Sequence, residues 1–147
     1  MPQTRFLRLS FAPLLLSCLL LQACETTPVH QTAATPIPKD RIVALPSIES
    51  SVVDPAQLTI TRDSGLFGSG PSILLAINGK KVAYFRTSEI LTLTLAPGEY
   101  VVSIVPYPAL GASPREYEIH LQPKAHSHYR ISVTQGGVLF QRTMDGT

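Results

Sequence analysis

From Gln57 onward, apolar and polar residues alternate in short runs separated by turn-forming residues, the period-two pattern of half-buried β-strands. Leu58-Thr59-Ile60-Thr61 is the first such run. Ile73 to Ile77 and Val82 to Phe85 are apolar on both faces, and Asn78-Gly79 lies between them. That dipeptide signals a tight hairpin, because both central residues of a type I′ turn need positive φ. The implied register sets Leu75 opposite Val82 and Ile73 opposite Tyr84. Leu91, Leu93 and Leu95 alternate with Thr92 and Thr94; Tyr100, Val102 and Ile104 alternate with Val101 and Ser103. Ala96-Pro97-Gly98-Glu99 joins these runs as a type II turn, with Pro presetting φ and Gly taking the positive φ. Type II turns are not the favoured hairpin connection, so either the loop is wider or the two strands belong to different sheets. Tyr117, Ile119 and Leu121 form the next alternating run, and Tyr129, Ile131 and Val133 the one after it. A tight turn at Pro123-Lys124-Ala125 pairs Glu118 with Arg130 and His120 with His128. Gln135-Gly136-Gly137 then leads into a last strand, Val138 to Arg142. Seven to eight short strands with Gly/Pro turns predict an all-β domain over residues 57–143, a small antiparallel β-sandwich or barrel, with 144–147 as a tail.

The start of the chain follows a different pattern. Arg5 and Arg8 precede an uncharged run of thirteen residues, Leu9 to Leu21. A membrane span needs ~20 apolar residues, whereas a secretory signal core needs about 7–15. Leu21-Gln22-Ala23-Cys24 follows directly and resembles the lipobox cut by bacterial lipoprotein signal peptidase. Residues 1–23 are thus expected to be a signal peptide cleaved between Ala23 and Cys24, with the Cys24 thiol taking a diacylglyceryl group. Cys18 also follows a small residue, but cleavage there would leave an apolar core of roughly eight residues and strand Leu19, Leu20 and Leu21 at the new N-terminus.

Residues 24–56 are expected to be a lipid-bearing N-terminus and tether. The stretch from Glu25 to Ala56 holds Pro28, Pro36, Pro38, Pro46 and Pro55, many Thr and Ser, and no aromatic residue. Such chain favours extended, unpacked conformations, and at this length it has an r.m.s. span of ~30 Å. Within it, Arg41-Ile42-Val43-Ala44-Leu45 is suited to dock as an extra edge strand.

Charge and cysteine usage narrow the function classes. Ten of the twelve basic residues and all ten acidic ones lie at or beyond Cys24, so that part carries no formal net charge. It has no basic patch that would argue for nucleic acid. Cys24 is its only cysteine, and acylation consumes that sulfur, so no disulfide is expected.

Three motifs in order, Arg62-Asp63-Ser64-Gly65-Leu66-Phe67-Gly68-Ser69, Ile77-Asn78-Gly79-Lys80-Lys81-Val82 and Leu95-Ala96-Pro97-Gly98-Glu99-Tyr100, resemble a PEGA-like domain. The chain is similar to small bacterial lipoproteins that carry such a domain and have no assigned function. The resemblance spans about Leu58 to Val105, with weaker likeness to Arg142. It implies a transthyretin-like sandwich and a role in the cell envelope, and it carries over no catalytic residues.

Several constellations bear on chemistry. His120, His126 and His128 are weak candidates for a zinc or copper site. The expected register places His120 and His128 with Cβ atoms ~5 Å apart, but no carboxylate is placed to complete or support a ligand set. These residues fit a solvated polar face near a turn, and no metal or other cofactor is expected. Gly65, Gly68 and Gly70 read G-x-x-G-x-G, which is neither a Walker loop nor a dinucleotide fingerprint. They fit a wide turn whose apolar tip, Leu66 and Phe67, either caps the sandwich or inserts into a partner. Pro106-Tyr107-Pro108-Ala109-Leu110 is read as a rigid cover rather than a binding loop. There is no G-x-S-x-G, and no Ser/His/Asp set falls on one site.

The expected function is therefore a non-enzymatic binding or assembly module, held by lipid in the cell envelope with an envelope protein as partner. Glu25 stands where an Asp would resemble an inner-membrane retention signal, which favours the outer membrane, facing the periplasm. Two alternatives are an outer-membrane lipoprotein subunit of a type VI-like secretion machine and a periplasmic metal-binding protein.

Overall fold

A computed structural model describes residues 26–47, 51–66 and 68–144. Among the described residues nine strands follow one another: β1 (Thr35–Pro36), β2 (Ala56–Arg62), β3 (Ser72–Ile77), β4 (Lys80–Phe85), β5 (Glu89–Leu95), β6 (Gly98–Tyr107), β7 (Arg115–Leu121), β8 (His126–Thr134) and β9 (Gly137–Thr143). They form a five-stranded sheet, ordered β1-β5-β2-β8-β9, and a four-stranded sheet, ordered β4-β3-β6-β7. The architecture is all-β, two sheets enclosing one apolar core.

The alternating runs face the core as their sequence requires. Leu58 and Ile60 of β2, Leu91, Leu93 and Leu95 of β5, Val102 and Ile104 of β6, Ile119 and Leu121 of β7, and Ile131 of β8 are all buried. Their polar neighbours Thr92, Thr94, Glu118 and His120 point to solvent. β5 and β6 lie in different sheets, so Gly98, at φ 145°, carries the chain across between them. The crossing is fastened by Tyr100, whose hydroxyl donates to the Ala96 carbonyl at 2.7 Å, the arrangement of a tyrosine corner.

Four expectations are corrected. The sandwich is not wholly antiparallel, since β2 pairs with β8 in parallel and β1 with β5 in parallel. The β2–β8 pairing is parallel because the intervening chain passes through the other sheet and re-enters from the end where β2 begins. The Asn78-Gly79 hairpin exists, but a bulge between Leu75 and Ala76 sets Leu75 opposite Ala83 and Ile73 opposite Phe85. The extra residue on β4 places Val82 and Ala83 consecutively in the core. Third, β7 and β8 do not pair: β7 lies against β6, while β8 lies between β2 and β9.

The fourth correction concerns the expected tether. Residues 26–47 lie against the sheets as a strap. Thr27 forms an antiparallel bridge with Ser64, β1 pairs with Glu89 and Ile90 on the edge of the five-stranded sheet, and Ile37 is buried in the core at 6 % exposure. Arg41 then forms an ion pair with the buried Glu89. Ile42 bridges Ala83, and the Val43 amide donates to the Val82 carbonyl at 2.8 Å, so this stretch docks on the β4 edge through an isolated bridge and not as the expected edge strand. The strap therefore covers the opening between the β5 edge of one sheet and the β4 edge of the other. Its prolines suit an edge position because they need donate nothing to a ladder.

Candidate functional site

The end of the sandwich at which β2 and β8 terminate gathers the most unusual chemistry. Alternation along β2 puts Leu58, Ile60 and Arg62 on the inner face, so a guanidinium enters the core. Arg62 is 1 % exposed. Its Nη1 donates to the carbonyls of Phe85 at 2.7 Å and Pro71 at 3.0 Å, and its Nη2 to the Gly68 carbonyl at 2.6 Å. Burial pushes its pKa down to about 10, which still leaves it charged at neutral pH. One buried side chain thus ties the base of the Gly65–Gly70 loop to the four-stranded sheet.

Asp63 faces the opposite way, beneath the strap. Its Oδ2 accepts from Thr26 Oγ1 at 3.1 Å and pairs with Arg130 Nη2 at 3.2 Å, while Oδ1 has no hydrogen-bond partner among the described residues. Burial pushes the carboxyl above its ordinary range; Arg130 and the Thr26 hydroxyl act in the opposite direction. The Val133 amide also donates to Thr26 Oγ1 at 3.0 Å. Thr26 is therefore locked between the ends of β2 and β8.

Further along the strap, Gln31 Nε2 lies 3.1 Å from His128 Nδ1, and His128 Nε2 lies 2.9 Å from Thr61 Oγ1. An amide nitrogen has only hydrogens to offer, so Nδ1 accepts and the Nε2–H tautomer donates to Thr61. A cavity of about 320 Å³ opens between this part of the strap and β8–β9, lined by His30, Gln31, Thr61, His128 and Arg130 among others.

The candidate residues of the sequence separate accordingly. His128 is buried under the strap on the five-stranded sheet, whereas His120 is exposed on the four-stranded sheet opposite Glu99. His126 pairs in register with Gln57 and is exposed. The expected His120–His128 neighbourhood is thus corrected, because the β7–β8 turn changes sheets. No group of three or more His, Cys, Asp or Glu residues that could hold a metal ion is present among the described residues. Ala23, Cys24 and Phe67 lie outside the described residues.

Leu66 is 95 % exposed, so it does not cap the core. The Pro106–Leu110 segment is no closed cover either: Tyr107 is 52 % and Leu110 91 % exposed. A turn closed by the Ala112 amide on the Ala109 carbonyl at 2.7 Å, with Leu110 at φ 42°, turns that leucine outward. Sequence reasoning missed Arg62 and Asp63 as buried charges, although extending the alternation of β2 by one step points Arg62 inward. It had no signal for Thr26, whose partners are distant in sequence.

No helix among the described residues is long and apolar enough to cross a membrane. No protein-family model matches the chain, and no curated protein matches it.

Proposed function

We propose that this protein is a lipid-anchored component of the cell envelope that acts as a binding or assembly module without catalytic chemistry. The observation that carries the reading is the ordered set of Arg5 and Arg8, the uncharged run Leu9–Leu21, and Leu21-Gln22-Ala23-Cys24. Each part is needed for export, membrane insertion of the signal and acyl transfer to a thiol, and each stands in its working order. Glu25 in place of Asp supports the outer membrane, facing the periplasm, in a cell with two membranes. The PEGA-like, transthyretin-like form of the sandwich belongs to the same proposal. It is supported by the motifs from Arg62 to Tyr100 and by the strand orders β5-β2-β8-β9 and β4-β3-β6-β7.

Metabolic labelling with a palmitate analogue tests the anchor. Cys24→Ser should abolish labelling and release the protein from membranes, because stable anchoring needs more than one acyl chain and Cys24 is their attachment point. Continued labelling of Cys24→Ser, with loss only in Cys18→Ser, would overturn the assignment.

A further inference from the structure

We infer that the end of the sandwich carrying Leu66 and Leu110 lies in the bilayer interface, so that the two loops form a second, non-covalent contact with the membrane that holds the acyl chains. This rests on the proposed acylation of Cys24. The first part of the argument is reach. Thr26 is fixed between Asp63 and Val133, and Thr27 bridges Ser64. Only two peptide steps separate Cys24 from Thr26, at most about 7 Å of chain. A tether of ~30 Å would let the domain stand off the membrane; a strap docked from Thr26 onward does not.

The second part is direction. The Thr27–Ser64 bridge is antiparallel, so the chain traced backward from Thr27 heads the same way as the chain traced forward from Ser64. Forward from Ser64 come Gly65 and Leu66. The third part is composition. β3 begins where β6 ends, with Ser72 opposite Tyr107, so the loop before β3 and the loop after β6 leave at the same end. Those loops present Leu66 and Leu110, exposed at 95 % and 91 %, together with Tyr107 at 52 %. Leucine side chains on loop tips with an aromatic behind them match the apolar and interfacial chemistry of a lipid surface. Thr26, two residues from the proposed acylation point, and the most exposed leucines among the described residues thus share one end of the molecule, and the bilayer is the one partner that acylation brings there without a further binding event.

The test uses the mature protein reconstituted in vesicles of phosphatidylethanolamine and phosphatidylglycerol. Leu66→Cys, Leu110→Cys and, at the opposite end, Val53→Cys each carry an environment-sensitive fluorophore. All three sites are exposed, so labelling leaves the core intact. Mass measurement of the purified protein reports acylation independently. The expected result is blue-shifted emission, quenched by brominated lipids, at 66 and 110, with water-like emission at 53. Water-like emission at all three positions on acylated protein overturns the inference and leaves the anchor standing. An unacylated Cys24 overturns the anchor. The same probes in a Cys24→Ser background, which leaves one thiol for the fluorophore, then decide the loops: quenching at 66 and 110 upholds their insertion, and water-like emission refutes it.

Discussion

At the level of single residues, the feature with the clearest consequence is Asp63, a carboxylate buried at 1 % exposure with one oxygen lacking a partner among the described residues. Burial raises its pKa despite Arg130 and Thr26. The folded protein therefore holds the Asp63 proton more tightly than the unfolded chain does. Its contribution to stability is fully present below the ordinary value of 3.8 and is lost as pH rises through the folded value. Asp63→Asn removes that dependence. The stability of wild type relative to Asp63→Asn, from denaturant unfolding between about pH 3 and pH 7, should fall as pH rises. A relative stability that climbs with pH would mean that the Arg130 pair outweighs burial. Arg62 next door illustrates a different solution, in which three backbone carbonyls receive a buried guanidinium.

At the level of elements, the Gly65–Gly70 loop is shaped by close contact with β8. Gly68 has φ +65°, and a Cβ there would stand 2.5 Å from Val133 Cγ1. Gly68→Ala should therefore destabilise the fold by roughly 1–3 kcal/mol through overpacking, with about 1–2 kcal/mol more from the left-handed backbone. Combining it with Val133→Ala should return part of the steric cost, since the Val133 Cβ at 2.9 Å remains, and leave the backbone part, which denaturant melts of the four chains resolve as a coupling energy. Additive losses would show that the loop moves aside. The glycine pattern was legible in the sequence as a wide turn, and the exposed Leu66 fits it. The contact with Val133 was not, because it joins segments far apart in the chain. The β4 bulge was hidden for a related reason: Val82 and Ala83 are both apolar, and either suits a buried position when the hairpin is considered alone.

For the molecule as a whole, the strap changes how the domain meets its surroundings. A loose tether would make Ile37 irrelevant to stability, within about 0.5 kcal/mol for a surface change. Buried at 6 % exposure within the core cluster, Ile37 should instead cost about 2–5 kcal/mol on substitution by Ala. Thermal or denaturant unfolding of Ile37→Ala distinguishes the two, and a change under about 0.5 kcal/mol would restore the tether. Docking of the strap also brings Gln31 within 3.1 Å of His128 Nδ1, while His120 stands on the other sheet.

The sequence alone determined where strands run, which face of each is buried, and where the chain turns. Leu91, Leu93 and Leu95, or Ile119 and Leu121, must all be hidden from water, and a period of two leaves only one face on which to do it. The proposed export and acylation signal, Arg5 to Cys24, is likewise read from local order alone and not from a folded surface. Tertiary structure decided what pairs with what. Nothing local distinguishes a β7–β8 hairpin from a crossing between sheets, and the parallel β2–β8 pair exists only because the core requires two layers. The docked strap was decided there as well. A Pro- and Thr-rich segment carries no periodic apolar signal, and its fastenings, Thr26 to Asp63, Gln31 to His128 and Arg41 to Glu89, are made with residues distant from it in the chain.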